Sequence, residues 1–476
     1  MTPPGIETQK FKFNTWSLVA LMVLLLPLSI KIFFPVISTV IIYPGELLIG
    51  ILALVFLFTL FLKKDFNLLD PAFIKHPITI LIITYLVINF LSSVFSTMHL
   101  VSAKALVVKT CYILVFYFFT FSIIKSVLNN FIELMKLYGF GLALVIVYTL
   151  LNQLNLGFTR SGAGFACHPF YNDHTIFSAA IVFALPIFAA FSFFSKTFEF
   201  TPVSRVLIII TTFLLIAGFY FSFCRAAWLS LFVAIILLVL ILIGIRFKGL
   251  MVMIVALIFI AIIGQTQILT FLKKNKVDST VTNAGLYEHF FSFTNISSDV
   301  SNKERINRWI CSIKMFYNKP LLGYGPGTYQ FQYLPFQNKE NMSYISREKP
   351  LKPGFGSFYW HSNAVGLLQE KEYTYLQGGG GTAHSEYFLE LSESGLISVL
   401  LFIGLLFTAL FSSLRVISNF KDKKTKILII AVICSLVSYF THAFFNNFLD
   451  DCKVAFLFWS ALCMITVADL NTAKNN

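Results

Sequence analysis

Apolar runs of about 20 residues recur from one end of the chain to the other, each long enough to cross a bilayer as a helix. Their approximate centres are Leu24, Leu54, Thr84, Phe116, Ala143, Phe183, Thr212, Ala234, Leu257, Phe402, Cys434 and Ser460. The pattern predicts an all-α, polytopic membrane protein of about twelve transmembrane helices. One long polar interval interrupts the series. The chain accordingly divides into spans with short loops over 1–272, a single large and partly helical loop over 273–394, and the remaining spans over 395–476.

Inside the polar interval the periodicity changes to that of short amphipathic helices. Ile306, Trp309, Ile310 and Ile313 fall at i, i+3, i+4 and i+7, and Ser301 with Glu304 has the form of a capping box that would start their helix. Arg305, Arg308 and Ser312 share a flank of it. After Pro320 comes a glycine-rich turn, Gly323-Tyr324-Gly325-Pro326-Gly327. Farther on, Gly378 to Gly381 lead into His384, Tyr387, Phe388 and Leu391, whose spacing marks one face of a second short helix. His384 would then lie in a first helical turn, where unpaired N–H groups attract anions and disfavour a protonated imidazole. A neutral histidine beside an anion site suits a general base; the bland alternative is a loop cap or a residue packed on the membrane surface.

Composition agrees with the pattern: 57% of residues are hydrophobic and 12% charged, which excludes a soluble globular chain. The net charge of +14 would suggest a nucleic-acid partner if it formed one patch. Instead the basic residues sit in short loops: Lys63, Lys64 and Lys75, then Lys125, Lys196 and Arg205, Arg246 and Lys248, and Arg415 with Lys421, Lys423, Lys424 and Lys426. These follow the even-numbered spans, so the positive-inside rule makes that side and both termini cytoplasmic. The long loop then faces outward. Lys10 and Lys12 precede the first apolar run and no convincing small-residue cleavage site follows it, so an uncleaved first span is expected. The seven cysteines, several of them inside apolar runs (Cys111, Cys434, Cys463), show no zinc or disulfide spacing, and the 55 phenylalanines suit lipid contact and helix packing.

Few basic residues fall on the outer side outside the long loop: Lys31, Lys104, Lys109, Arg160 and Arg225. A charge at membrane depth marks a site or a headgroup anchor, and Arg225 in Phe223-Cys224-Arg225-Ala226-Ala227-Trp228 admits both readings. Arg160 opens a polar patch that also holds His168, Asp173 and His174. Their spacing does not forbid a metal but matches no recognised ligand pattern. A further outer patch runs from His442 to Asp451, and its carboxylates could pair Arg160 or Arg225 or form a solvated loop.

Taken together, Cys224-Arg225-Ala226-Ala227-Trp228, the Arg305/Arg308-Trp309 helix, Pro320 to Gly327 and Ala383-His384-Ser385-Glu386-Tyr387 resemble the O-antigen ligase/O-antigen polymerase superfamily of bacterial envelope glycosyltransferases. The resemblance runs mainly from Arg160 to Gly395. It implies transfer of a polyprenyl-diphosphate-linked glycan at the periplasmic face of the inner membrane, without cofactor or metal. His384 would activate the acceptor hydroxyl, while Arg225 and an arginine of the pair Arg305/Arg308, with Arg160, would hold the donor diphosphate. The chain departs from the usual pattern at Ser385, where Asn is common, and at Cys224, where Ser is common.

The acceptor implied first is a lipid A-core, making the protein a ligase in lipopolysaccharide biosynthesis. The alternatives with the same site are a polymerase acting on a glycan acceptor and an enzyme that glycosylates protein. Acceptor choice is expected in 331–372, where Tyr333, Tyr359 and Trp360 could stack on sugar rings. A transporter of the same lipids is a reading from another class. It is disfavoured because no internal repeat with broken helices is visible and a long outer loop is superfluous to transport. Membrane lipid is the remaining partner and nucleic acid is excluded.

Overall fold

A computed structural model describes residues 5–34, 39–62, 70–125, 128–274, 295, 299–337, 342 and 381–475. Tyr359, Trp360, Gly378 and most of the stretch 331–372 lie outside the described residues. The first half contains α1 (Gly5–Leu25), strands β1 (Ile30–Phe34) and β2 (Thr39–Tyr43), α2 (Gly45–Phe61), α3 (Pro71–Ile74), α4 (Pro77–Val94) and α5 (His99–Ile113). A π-helical turn, Leu114–Phe119, continues α5 into α6 (Thr120–Ile124). Then follow α7 (Asn129–Asn155), α8 (Arg160–Ala166), α9 (His174–Phe193), α10 (Pro202–Phe221), α11 (Arg225–Leu242), α12 (Phe247–Ile263) and α13 (Gln265–Lys274). The polar interval supplies α14 (Val300–Asn318), α15 (Tyr329–Gln332) and α16 (Glu386–Glu393), and the chain closes with α17 (Gly395–Asn419), α18 (Lys423–His442) and α19 (Cys452–Asn475).

Among the described residues nine helices are long and apolar enough to cross a membrane: α4, α5 with α6, α7, α9, α10, α11, α17, α18 and α19. The other three expected spans coincide with shorter apolar helices at Thr15–Leu25, Gly45–Phe61 and Phe247–Ile263. Local sequence starts these helices where it should. Pro77 and Pro202 occupy first-turn positions that need no N–H donor, and Thr201, Asp173 and Asp422 cap α10, α9 and α18 with side-chain oxygens. The expectation of an all-helical chain needs one correction, an antiparallel hairpin in which Ile32 of β1 faces Ile41 of β2. Its β-branched residues favour the strand, and Glu46 anchors it by accepting from the Ile42 amide at 2.9 Å and the Tyr112 hydroxyl at 2.7 Å.

Helices α19 and α18 run through the middle of the bundle, with 89% and 78% of their apolar windows buried, whereas α10 has only 22% buried and must meet lipid. At one end of the bundle Arg415 pairs with Asp469, which also takes a bond from His76 at 3.1 Å, and Lys424 pairs with Glu199 at 3.5 Å. Arg415 and Lys424 belong to the basic series that flanks the even-numbered spans. The opposite end receives the polar interval. There α14 packs on α16, and α16 leads through Gly395 into α17.

Candidate active site

Helix α14 begins differently from its sequence signature. Asp299, not Ser301, is the N-cap, its carboxylate accepting from the Asn302 amide at 3.0 Å. Its other oxygen reaches Nη1 of Arg225 at 3.5 Å, so one side chain starts the helix and orients the arginine at the head of α11. The Asn302 carboxamide oxygen, one turn into α14, accepts from Nη2 of Arg225 and from Nη1 of Arg305, both at 3.5 Å. Two guanidinium groups from different elements therefore share one acceptor.

The Ile306, Trp309, Ile310, Ile313 stripe is only half-buried. The buried face of α14 is instead Asn302, Glu304, Asn307, Arg308, Cys311, Ser312 and Met315, because the helix packs polar groups against its neighbours. Arg308 donates to Glu304 at 2.7 Å and lies over the Tyr333 ring at 4.1 Å. Tyr333, expected to stack on sugar, is fully buried against that arginine. The pair Arg305/Arg308 is thus divided: Arg305 faces the cavity described below, while Arg308 is built into the wall behind Gly381. Gly381, at φ +69°, lies so close that a Cβ there would meet the Arg308 guanidinium at 2.7 Å.

His384 also differs from expectation. Helix α16 starts at Glu386 with Ser385 as N-cap, and His384 precedes it in the left-handed region at φ +50°. Its carbonyl, freed from the helix, accepts from Trp309 Nε1 at 3.3 Å. His384 therefore lies outside the first helical turn, and its imidazole is kept neutral by other means. Burial, with the positive charges of Arg305 and Arg308, pushes His384 down to about 3.

Three acids at i, i+4 and i+7 hold α16 in place, and the sequence reading overlooked their common face. Glu386 accepts from the amides of Phe448 at 2.6 Å and Leu449 at 2.8 Å and from the Tyr439 hydroxyl at 2.9 Å. Glu390 accepts from Lys109 at 2.8 Å, Ser398 at 2.6 Å and Tyr85. Glu393 accepts from the amides of Gly327 at 2.7 Å and Tyr329 at 2.8 Å. One short helix thus ties together the loop after α18, the membrane helices α4 and α5, and the glycine-rich turn.

Above these clamps opens a cavity of about 360 Å³. Its lining comes from Arg160 of α8, Asp173 and His174 at the head of α9, Arg225 and Ala226 of α11, Arg305 of α14, Thr382 and His384 ahead of α16, and Asn446, Asn447 and Phe448 of the loop after α18. Four of the five site residues singled out from sequence, Arg160, Arg225, Arg305 and His384, therefore meet around one space. Arg305 is held down to about 10 by burial and then by the charge of Arg225 beside it. The N-terminus of α11 adds amides with no side-chain cap.

Asp173 spends its Oδ1 on capping α9, accepting from Thr175 N at 2.7 Å, Thr175 Oγ1 at 2.5 Å and Ile176 N at 3.1 Å. It does not join His168 and His174 in a ligand set: among the described residues no three His, Cys, Asp or Glu side chains are grouped to hold a metal.

No curated protein matches the chain. The family model described as Wzy_C, O-Antigen ligase, matches residues 210–403, a segment that contains Arg225, Arg305, Arg308 and His384. That match lies over the motifs that carry the resemblance, and it supports placing this segment of the chain in the O-antigen ligase superfamily.

Proposed function

We propose that the protein transfers a glycan from a polyprenyl diphosphate to a lipid A-core acceptor at the periplasmic face of the inner membrane. The observation that carries this reading is the convergence of Arg160, Arg225, Arg305 and His384 on one cavity. The diphosphate is held by Arg225 and Arg305, whose planar forks donate paired hydrogen bonds and keep their charge. His384 takes the proton from the acceptor hydroxyl as its oxygen attacks the anomeric carbon. The bond from that carbon to the diphosphate oxygen breaks, and the electron pair leaves with the diphosphate, whose charge the arginines already balance.

The electrostatics make this step depend on the donor. In the empty cavity His384 is neutral but a weak base, depressed first by burial and then by the charges of Arg305 and Arg308. A bound diphosphate offsets the charge of Arg305 and so raises the basicity of the imidazole. Donor binding and base activation are therefore one event. No metal or cofactor is called for, since preorganised cations and a neutral imidazole supply both requirements. The distribution of lysines supports the orientation, with the cavity at the bundle end opposite the basic loops.

The test is Arg225→Lys. A point charge cannot span Asp299, Asn302 and a phosphate at once, so transfer should fall by roughly 10²-fold with normal insertion. Parental turnover would make Arg225 a headgroup anchor and remove it from the reaction.

A further inference from the structure

The cavity holds a polar group that no step above uses. Asn446, in the loop after α18, lines the cavity and is only 4% exposed, yet its Nδ2 finds no acceptor among the described residues. A buried amide left unpaired is costly, so an unused donor at a cavity wall points to a ligand atom. We propose that the Asn446 carboxamide binds the first sugar of the donor, the residue joined to the diphosphate, and so sets which glycan is accepted. This rests on the donor reading given above.

The position of Asn446 separates sugar from phosphate. The cationic groups come from α8, α11 and α14, while the part of the lining drawn from the segment before α16 and the loop after α18 includes His384 and Asn446. The two loops of that part are one unit: Glu386 N donates to Ala443 O at 2.9 Å, and the Glu386 carboxylate accepts from Phe448 N and Leu449 N. The anomeric carbon must lie between the leaving diphosphate and the hydroxyl activated by His384. A group fixed to the base therefore faces the sugar. A neutral carboxamide complements hydroxyl and acetamido groups, and Phe448, buried beside it, offers an apolar ring to a sugar face. At about 360 Å³ the space is at the small end of ligand sites and accommodates a diphosphate with one ring rather than a long glycan.

The experiment compares parent, Asn446→Ala and Arg305→Met in lipid nanodiscs, measuring affinity for polyprenyl diphosphate without sugar and for the same lipid bearing one sugar. Asn446→Ala should weaken the sugar-bearing lipid about tenfold, one hydrogen bond's worth, and leave the sugar-free lipid unchanged. Arg305→Met should weaken both. Equal loss on both lipids in Asn446→Ala would make the amide a phosphate ligand and overturn the inference; so would no loss on either. A parent that binds neither lipid would instead refute the donor reading itself. Asn446→Asp, of the same shape, guards against misfolding: it should enter the membrane normally and lose the sugar-dependent increment.

Discussion

Arg305 and Arg308 are one helical turn apart and identical in type, yet their replacement should shift stability in opposite directions. Arg308 is paired with buried Glu304 at 2.7 Å and stacked on Tyr333, and those neighbours hold its charge firmly. Arg308→Met leaves Glu304 buried without its cation, at a cost of about 3–5 kcal/mol. Arg305 is in the reverse situation. The fall from 12.5 to about 10 corresponds to roughly 3 kcal/mol of disfavour for its charged form, at about 1.4 kcal/mol per pH unit, an upper limit because the group is only half-buried. Arg305→Met should thus leave the empty protein as stable as the parent or more so. On the proposed reading the same substitution removes two charge-assisted hydrogen bonds to the diphosphate, each worth about 1.5–3 kcal/mol, and should lower donor affinity by roughly 10²–10⁴-fold. Thermal unfolding in nanodiscs, followed by tryptophan fluorescence, and titration with the lipid-linked donor give both numbers. If Arg305→Met melted as early as Arg308→Met while retaining donor affinity, the arginines would be mere structural partners and the division between them would be wrong.

Three further outcomes follow from the structure. Isotope-labelled histidine NMR should find His384 neutral down to well below pH 5 in the empty protein and titrating at higher pH once the donor is bound; an unchanged titration would break the link between donor and base. Because the folded value is depressed, the unfolded chain takes up a proton first, so His384 reduces stability as pH falls from about 6.5 toward 3, and His384→Ala should flatten that loss. Gly325→Ala would place a Cβ 2.1 Å from Ser96 Oγ at φ +107° and should destabilise by about 2–4 kcal/mol, whereas Gly404→Ala, with its nearest contact at 3.7 Å, should be nearly neutral by melting temperature.

Much of this arrangement was legible in the sequence because the rules behind it are local. Apolar length located the membrane helices, and arginines against the charge rule pointed to Arg160 and Arg225. What escaped was set by distant partners. Asp299 displaced Ser301 as the cap of α14 because it also reaches Arg225 on α11, 74 residues away in sequence. His384 left its helix because Ser385 caps it and Trp309 binds the histidine carbonyl. The three glutamates of α16 read as an ordinary polar face until Lys109, Gly327 and Phe448 arrive from three separate segments. Asn446 carried no signal beyond lying in an outer loop. Its meaning comes only from burial without a partner.

Reconstitution tests whether His384 is the base in transfer from a lipid diphosphate. Purified protein in nanodiscs would be given a polyprenyl-diphosphate-linked glycan and a lipid A-core acceptor, and the product identified by mass. The parent should form glycosylated lipid A-core, unaffected by chelator, while His384→Ala should bind donor normally but transfer about 10²–10⁴-fold more slowly. Normal turnover by His384→Ala, or loss of parental activity to chelator with rescue by a divalent ion, would contradict the mechanism; a lengthened lipid-linked glycan in place of glycosylated lipid A-core would identify a polymerase.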